Sequence, residues 1–404
     1  MTITAVFGYV NERFIKLPTP IGVTLVGLLI SLSILIFGEG IRPEAAYFLA
    51  SLNFNALVLE GMLSFLLFAG ALTVNLEDLT KQKWPILILA TVGVVASTFI
   101  VGTLMYFTLG FLGLNLPYIY ALLFGALITP TDPIAVLAIL KRIGVPKDIE
   151  TLITGESLFN DGIGVVVFSV ILGLAAGSGG HSAEGESVNV LMLLLQEAGG
   201  GIIFGLALGY LAYLMLKSID NYAVEVLITL ALVMGGYALA LELHISGPLA
   251  MVVGGLLIGN QGRLLAMSEK TREHLFSFWE MVDEILNAIL FVLIGLEILI
   301  VDFTPLSFMA GLIAIPLVLF SRFVSVGTPI GLMRFKHKFL PYTVRMMVWG
   351  GLRGGISIAL ALSIAAGPER DLILTLTYAV VVFSILVQGL TIGEVAKRIP
   401  RTAS

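Results

Sequence analysis

Apolar residues in this chain come in long, nearly unbroken stretches rather than in the short periodic patterns of a soluble fold. A helix needs about 20 mostly apolar residues to cross a bilayer. Twelve such stretches can be laid along the chain, at about residues 20–38, 54–74, 85–111, 117–141, 150–177, 189–216, 222–243, 245–260, 275–300, 304–333, 340–366 and 371–395. Residues 2–15 form a shorter thirteenth candidate. The expected fold class is therefore an all-α polytopic membrane protein with 12–13 transmembrane helices. The longest polar run, residues 177–188, is too short for a soluble domain, so one integral membrane domain is expected over 1–404. No cleavable signal peptide is read, because the apolar start runs directly into Asn11, Glu12 and Arg13.

Two of the stretches are interrupted. Pro130 and Pro133 break the 117–141 stretch, and Gly350-Gly351-Leu352-Arg353-Gly354-Gly355 breaks the 340–366 stretch. With residues 2–15 counted as the first helix, the breaks fall in helices five and twelve. Each is then fifth in a repeat, helices 1–6 and helices 8–13. Matching breaks in two halves predict two inverted repeats whose broken helices cross near the midplane, with a transport site there.

Composition agrees with a membrane setting. The chain is 58% hydrophobic and 12% charged, with mean hydropathy +1.04, against about 25% charged residues in soluble proteins. The charges are sorted by side: 17 Lys and Arg fall in alternate loops and two, Arg42 and Arg370, in the opposite ones. The positive-inside rule makes the basic side cytoplasmic, with the C-terminus inside and the inner (cytoplasmic) membrane as the location. Cysteine is absent and the four histidines are scattered, which leaves no disulfide, no thiolate metal site and no expected zinc site. No Walker loop, dinucleotide fingerprint or HExxH occurs. The chain is not expected to be an enzyme or to need a cofactor.

Against this background three carboxylates stand out at bilayer depth: Asp132 beside the first break, and Glu156 and Asp161 on the next span. Each costs roughly 2.5 kcal/mol or more there when charged. Asp161 is cheap to bury as the acid, and as the carboxylate it needs a cation. It therefore reads as a site for a proton or a metal ion. Na⁺, a hard ion, prefers oxygen ligands; the candidates are Asp161, Asp132, the hydroxyls of Ser157 and Thr131, and carbonyls freed at the break. Ser157 and Asp161 are four residues apart and share a helix face. Asn160 is expected to bridge to Thr131 or Asp132. Glu156 needs a basic partner, and Arg322 and Arg353 are the two deepest. Glu156 with Arg322 is the favoured pair, with Arg353 lining the second break and the exchanged pairing as the alternative. Asp283, Glu284 and Asn287 are read either as an entrance funnel or as an interfacial polar face. Among Glu60, Glu197, Glu225, Glu242 and Glu297, Glu60 is expected to lie deepest, and most of the others to snorkel to an interface.

Phe124-Gly125-Ala126, Thr129-Pro130-Thr131-Asp132-Pro133-Ile134-Ala135-Val136, Gly155-Glu156-Ser157-Leu158-Phe159-Asn160-Asp161-Gly162 and Gly350-Gly351-Leu352-Arg353-Gly354-Gly355 together resemble the monovalent cation/proton antiporter family of bacterial and archaeal NhaP and the animal sodium/proton exchangers. The resemblance runs from about Leu17 to Lys397. It implies a thirteen-helix fold, a homodimer in which a core moves against a dimer-forming part, and exchange of Na⁺ (often Li⁺) for H⁺. On the matched positions Asp161 is the ion- and proton-binding carboxylate, with Asp132, Ser157 and Thr131 completing the site. Asn160 stands where electrogenic relatives have an aspartate, which implies one proton per ion and electroneutral exchange. Two departures are visible: the first helix is short, and Ala69 follows Phe68 where many relatives place an acid.

Two other readings remain at this point. An intramembrane aspartyl protease would also set two aspartates on neighbouring helices, but no Gly-Asp or Tyr-Asp dipeptide is present. A passive cation channel would carry current with no proton counterflow. Oxygen ligands alone do not separate Na⁺ from Li⁺ or K⁺.

Overall fold

The computed structural model describes residues 1–38, 40, 42–51, 53–177, 190–301 and 304–397. Most of the polar run at 177–188 lies outside the described residues, as do Arg398 and Arg401 of the basic loops. The described residues are almost entirely helical. The helices long enough to be numbered are α1 (residues 2–15), α2 (Thr19–Phe37), α3 (Phe54–Thr73), α4 (Lys83–Phe111), α5 in two halves (Tyr118–Leu127 and Ile134–Ile143), α6 (Lys147–Gly177), α7 (Val190–Lys217), α8 (Tyr222–Glu242), α9 (residues 247–265), α10 (residues 269–299), α11 (Pro305–Met333), α12 in two halves (Thr343–Trp349 and Gly355–Ser363) and α13 (Pro368–Lys397). Short helices at Arg42–Ser51 and Leu76–Lys81 lie in the connections.

Local signals account for the boundaries. Asn221 caps α8 by accepting from the backbone of Ala223 and Val224, and Ser268 caps α10 by accepting from Thr271. Thr304 and Ser307 cap α11 reciprocally. Gly144, at φ 74°, ends α5 in the left-handed conformation, and Pro146 follows at once.

The helices sort into two groups. In one, α4 packs along the first half of α5, α6 lies against the same half, and α11 packs against α4 and α13, with α12 alongside α13. In the other, α9 packs against α3, α7 and α8, and α10 against α2 and α3. Buried polar contacts tie the second group: Thr24 Oγ1 donates to the carbonyl of Phe291 at 3.0 Å, Ser31 Oγ to Gly295 at 3.1 Å, and Tyr237 Oη to Leu59 at 2.6 Å. Asn260 Nδ2 donates to the Val74 carbonyl at 3.0 Å, joining α9 to the end of α3.

The two broken helices occupy the fifth place of their repeats and run in opposite directions between the basic and the other side, so the repeats are inverted. Phe37, Phe111 and Phe335 are each more than 85% exposed. Such bare aromatics belong to a surface that faces lipid or its interface rather than bulk water.

Candidate functional site

Each break follows from its own sequence. Pro130 and Pro133 have no N–H to continue the first helix, and the chain between them is extended enough for the backbone N–H of Asp132 to donate to the Leu352 carbonyl at 2.8 Å. That hydrogen bond is where the two interruptions cross. Asp132 Oδ1 turns back to accept from the Ile134 N–H at 2.9 Å and starts the second half of α5. Gly354 lets the strands of the two breaks close up: a Cβ there would sit 3.0 Å from the Asp132 side chain. The second break is held from α13, where Ser384 Oγ accepts from the Arg353 N–H at 2.9 Å and donates to Gln388 Oε1 at 2.7 Å, while Gln388 Nε2 donates to the Trp349 carbonyl at 3.0 Å.

The basic groups take separate partners. Arg322 on α11 binds Glu156 on α6 in a two-pronged pair, Nη1 to Oε1 and Nη2 to Oε2, both at 2.7 Å. Arg353 crosses to the other break and donates to the carbonyls of Thr129 and Pro130. Those oxygens end the first half of α5, where the helix dipole is negative. Asn160 links the elements. Its Nδ2 donates to Glu156 Oε1 and to Thr131 Oγ1, both at 2.8 Å, and its Oδ1 accepts from the Thr131 N–H at 3.3 Å. Thr131 Oγ1 and Ser157 Oγ lie 3.0 Å apart.

Asp161 differs from these groups. Its Oδ1 is buried and has no hydrogen-bond partner among the described residues; Ser357 Oγ and Asn287 Oδ1 are in the same condition. All three line a cavity of about 360 Å³ that Asp132, Asp283 and Glu284 also face. Lys141 and Thr73, near the basic side, line it as well. The cavity therefore reaches from the basic side to the middle of α6. One wall comes from α3 and α10 and the other from α5, α6 and α12.

The structure thus brings together Asp161, Asp132, Thr131, Ser157, Asn160 and Glu156, pairs Glu156 with Arg322, and places Arg353 in the core of the crossing. Asp283, Glu284 and Asn287 line the cavity rather than a free interface. The ranking of the remaining glutamates is corrected. Glu60 is exposed, whereas Glu225 and Glu297 are 0% and 3% exposed. Both fall near helix ends, and packing of α8 and α10 covers them where a single helix would leave them free to reach water. Ser357, Ser384 and Gln388 escape a reading by charge. The signal for Gln388 is a lone amide in the apolar last span; a serine in such a span is too common to be one.

A family model described as "Sodium/hydrogen exchanger, transmembrane" matches residues 1–398. The Na(+)/H(+) antiporter NhaP of Pseudomonas aeruginosa is 51% identical over 408 residues, covering 99% of this chain and 95% of that protein. The Na(+)/H(+) antiporter NhaH of Halobacillus aidingensis is 38% identical over 392 residues, covering 96% and 93%. Among solved structures, the sodium proton antiporter MjNhaP1 from Methanocaldococcus jannaschii at pH 8 superposes with a TM-score of 0.73 at 22% identity, covering 99% of this chain and 97% of that one; at that identity the likeness speaks for the fold. With a family model spanning nearly every residue and relatives matched over almost their whole length, the chain belongs to the sodium/hydrogen exchanger family.

Proposed function

We infer that the protein exchanges Na⁺ for H⁺ across a membrane by alternating access, with Asp161 as the group for which the two ions compete. The observation that supports this most is a contrast among buried charges. Glu156 has Arg322, and Arg353 has two carbonyls, whereas Asp161 Oδ1 is unpartnered at the inner end of a cavity. A carboxylate so placed is satisfied by a proton or by a hard monovalent cation. Asp132 and the hydroxyls of Thr131 and Ser157 supply further oxygens. Loaded with either ion, Asp161 is close to neutral and its surroundings can cross to the other access state. Empty, it carries an uncompensated charge and is held back. That penalty couples the two fluxes.

Asn160 next to Asp161 leaves one exchanging carboxylate, hence one proton per cation and electroneutral turnover. Glu156, Arg322, Asn160 and Arg353 support the site and do not bind the ion. Na⁺ is assigned as the cation because the curated relatives are named Na(+)/H(+) antiporters; Li⁺ is accepted by the same oxygens. Nothing in the cavity favours a peptide bond over an ion, and one Asp132 oxygen is already engaged by the Ile134 N–H, so the peptidase reading is set aside. A channel reading leaves the counterflow of protons without a role.

The chain is assigned as one antiporter domain over 1–404. Within it the group of α4, α5, α6, α11, α12 and α13 is the moving core, interleaved in sequence with the group that pairs two copies into a homodimer. The basic loops and the C-terminus face the cytoplasm, and the membrane is the cell's inner one.

Proteoliposomes loaded with a pH dye and a potential dye test the reading. A Na⁺ gradient is expected to drive proton movement without a membrane potential. Asp161→Asn is expected to abolish that movement while the purified chain stays folded. Sodium-driven proton flux that survives Asp161→Asn would refute the assignment.

A further inference from the structure

At the basic end of the molecule α11, α12 and α13 leave a second cavity between them, of about 570 Å³. Arg334 and Arg345 stand at its mouth with Tyr342, and Phe323, Val348 and Trp349 form its wall. Phe323 and Arg334 are eleven residues apart on one helix, which is about 16 Å along the axis. The cavity therefore runs from the interface, where its charge is, well into the depth where lipid tails lie. Phe323 is 57% exposed at that depth.

The charge at the mouth is of one sign. Among the described residues no acidic one lines the cavity. Among the described residues neither arginine has an ion pair. The Arg345 guanidinium lies 5.3 Å from the centre of the Tyr342 ring, a contact that steadies the side chain without neutralising it.

We propose that this cavity binds an anionic phospholipid, with the phosphodiester between Arg334 and Arg345 and an acyl chain along Phe323 and Val348. Guanidinium groups match phosphate oxygens in pairs, and basic pockets between membrane helices suit acidic headgroups. A free anion would use the arginines and leave the apolar wall without a partner; an amphiphile uses both. The two arginines sit on different helices, at the end of α11 and in the first half of α12. The same two helices carry Arg322 and, within the break, Arg353. A lipid bound at the mouth bridges the ends of these two supports of the ion site from outside it, independently of how the exchange itself proceeds.

The full chain, purified in a neutral detergent and stripped of lipid, is titrated with phosphatidylglycerol, and bound lipid is counted by native mass spectrometry. The wild-type chain is expected to retain phosphatidylglycerol and to unfold at a higher temperature with it, and to do neither with phosphatidylcholine. R334A/R345A is expected to bind phosphatidylglycerol about 30-fold more weakly, and each single alanine variant about fivefold. R334K/R345K is expected to bind more tightly than R334A/R345A and more weakly than the wild type, since an ammonium keeps the charge and loses the paired donors. Both arginines are exposed, and the single variants decide the matter should the double one fold poorly. Equal retention of phosphatidylglycerol by wild type and the alanine variants overturns the proposal. So does an equal rise in unfolding temperature from inorganic phosphate alone, which would identify a free-anion site.

Discussion

Removing one member of the Glu156–Arg322 pair strands the other where water cannot reach it. The Glu156 side chain is 1% exposed and that of Arg322 6%, and both carboxylate oxygens are engaged at 2.7 Å. At an effective dielectric of about 20, unit charges about 4 Å apart attract by ~4 kcal/mol. Leaving one such charge buried alone costs ~3–5 kcal/mol. Arg322→Leu is therefore expected to lower stability by about that amount. Glu156→Leu is expected to lose a similar amount, plus ~1 kcal/mol for the hydrogen bond that Asn160 Nδ2 no longer makes. The double variant removes both charges together and puts apolar volume in their place, an exchange that is often neutral or better. It is expected to lie within ~2 kcal/mol of the wild type, which gives a coupling of ~5 kcal/mol or more between the two sites. Denaturant unfolding of the purified proteins in one detergent, followed by the fluorescence of the three tryptophans, measures all four species of the cycle. If the double variant loses the sum of the two single losses, the residues do not act as a pair and the argument from stranded charge fails.

Two further outcomes are expected. A Cβ at Gly125 would sit 2.2 Å from the Thr98 carbonyl oxygen, so Gly125→Ala must push the first half of α5 away from α4; a loss of ~1–3 kcal/mol and slowed exchange are expected, and an unchanged unfolding midpoint would show that the two helices have slack. Outside the spanning segments, Asp220 accepts from Ser268 Oγ at 2.7 Å and Thr271 Oγ1 at 2.9 Å, and these hydrogen bonds hold its carboxyl below the usual range. The contribution is fully present above the unfolded value of about 3.9 and is lost as pH falls through the lowered folded value. Asp220→Asn is expected to flatten the acid end of the curve of unfolding midpoint against pH, and an unchanged slope there would count against the link.

Much of the site was legible in the residues because its chemistry is expensive in a membrane. A proline pair and a run of glycines in spans that otherwise need an unbroken helix mark the two breaks. Three carboxylates and two arginines at bilayer depth must find partners, so an arginine for Glu156 follows from scarcity, while the choice of Arg322 over Arg353 is made by packing. Backbone contacts leave no such trace. Nothing in the composition of the second break announces that the Leu352 carbonyl takes the Asp132 N–H, or that Arg353 serves carbonyl oxygens and not a carboxylate. The glutamates near helix ends show a different limit. Depth along one helix is readable from sequence, but whether a neighbouring helix covers the side chain depends on packing between groups distant in the chain, as it does for Glu225 and Glu297.

The crossing of the two breaks has a mechanical consequence. Because Asp132, Leu352, Arg353 and the Thr129 and Pro130 carbonyls are riveted across the two breaks, neither half of the proposed ion seat can slide without taking the other along. Any stroke that turns the seat from one compartment to the other has to carry it whole. On the alternating-access reading the effort of that stroke falls on the wall of α3 and α10, where Leu63, Leu66, Leu67 and Leu290 face the crossing, and not on the bonds that hold the breaks together.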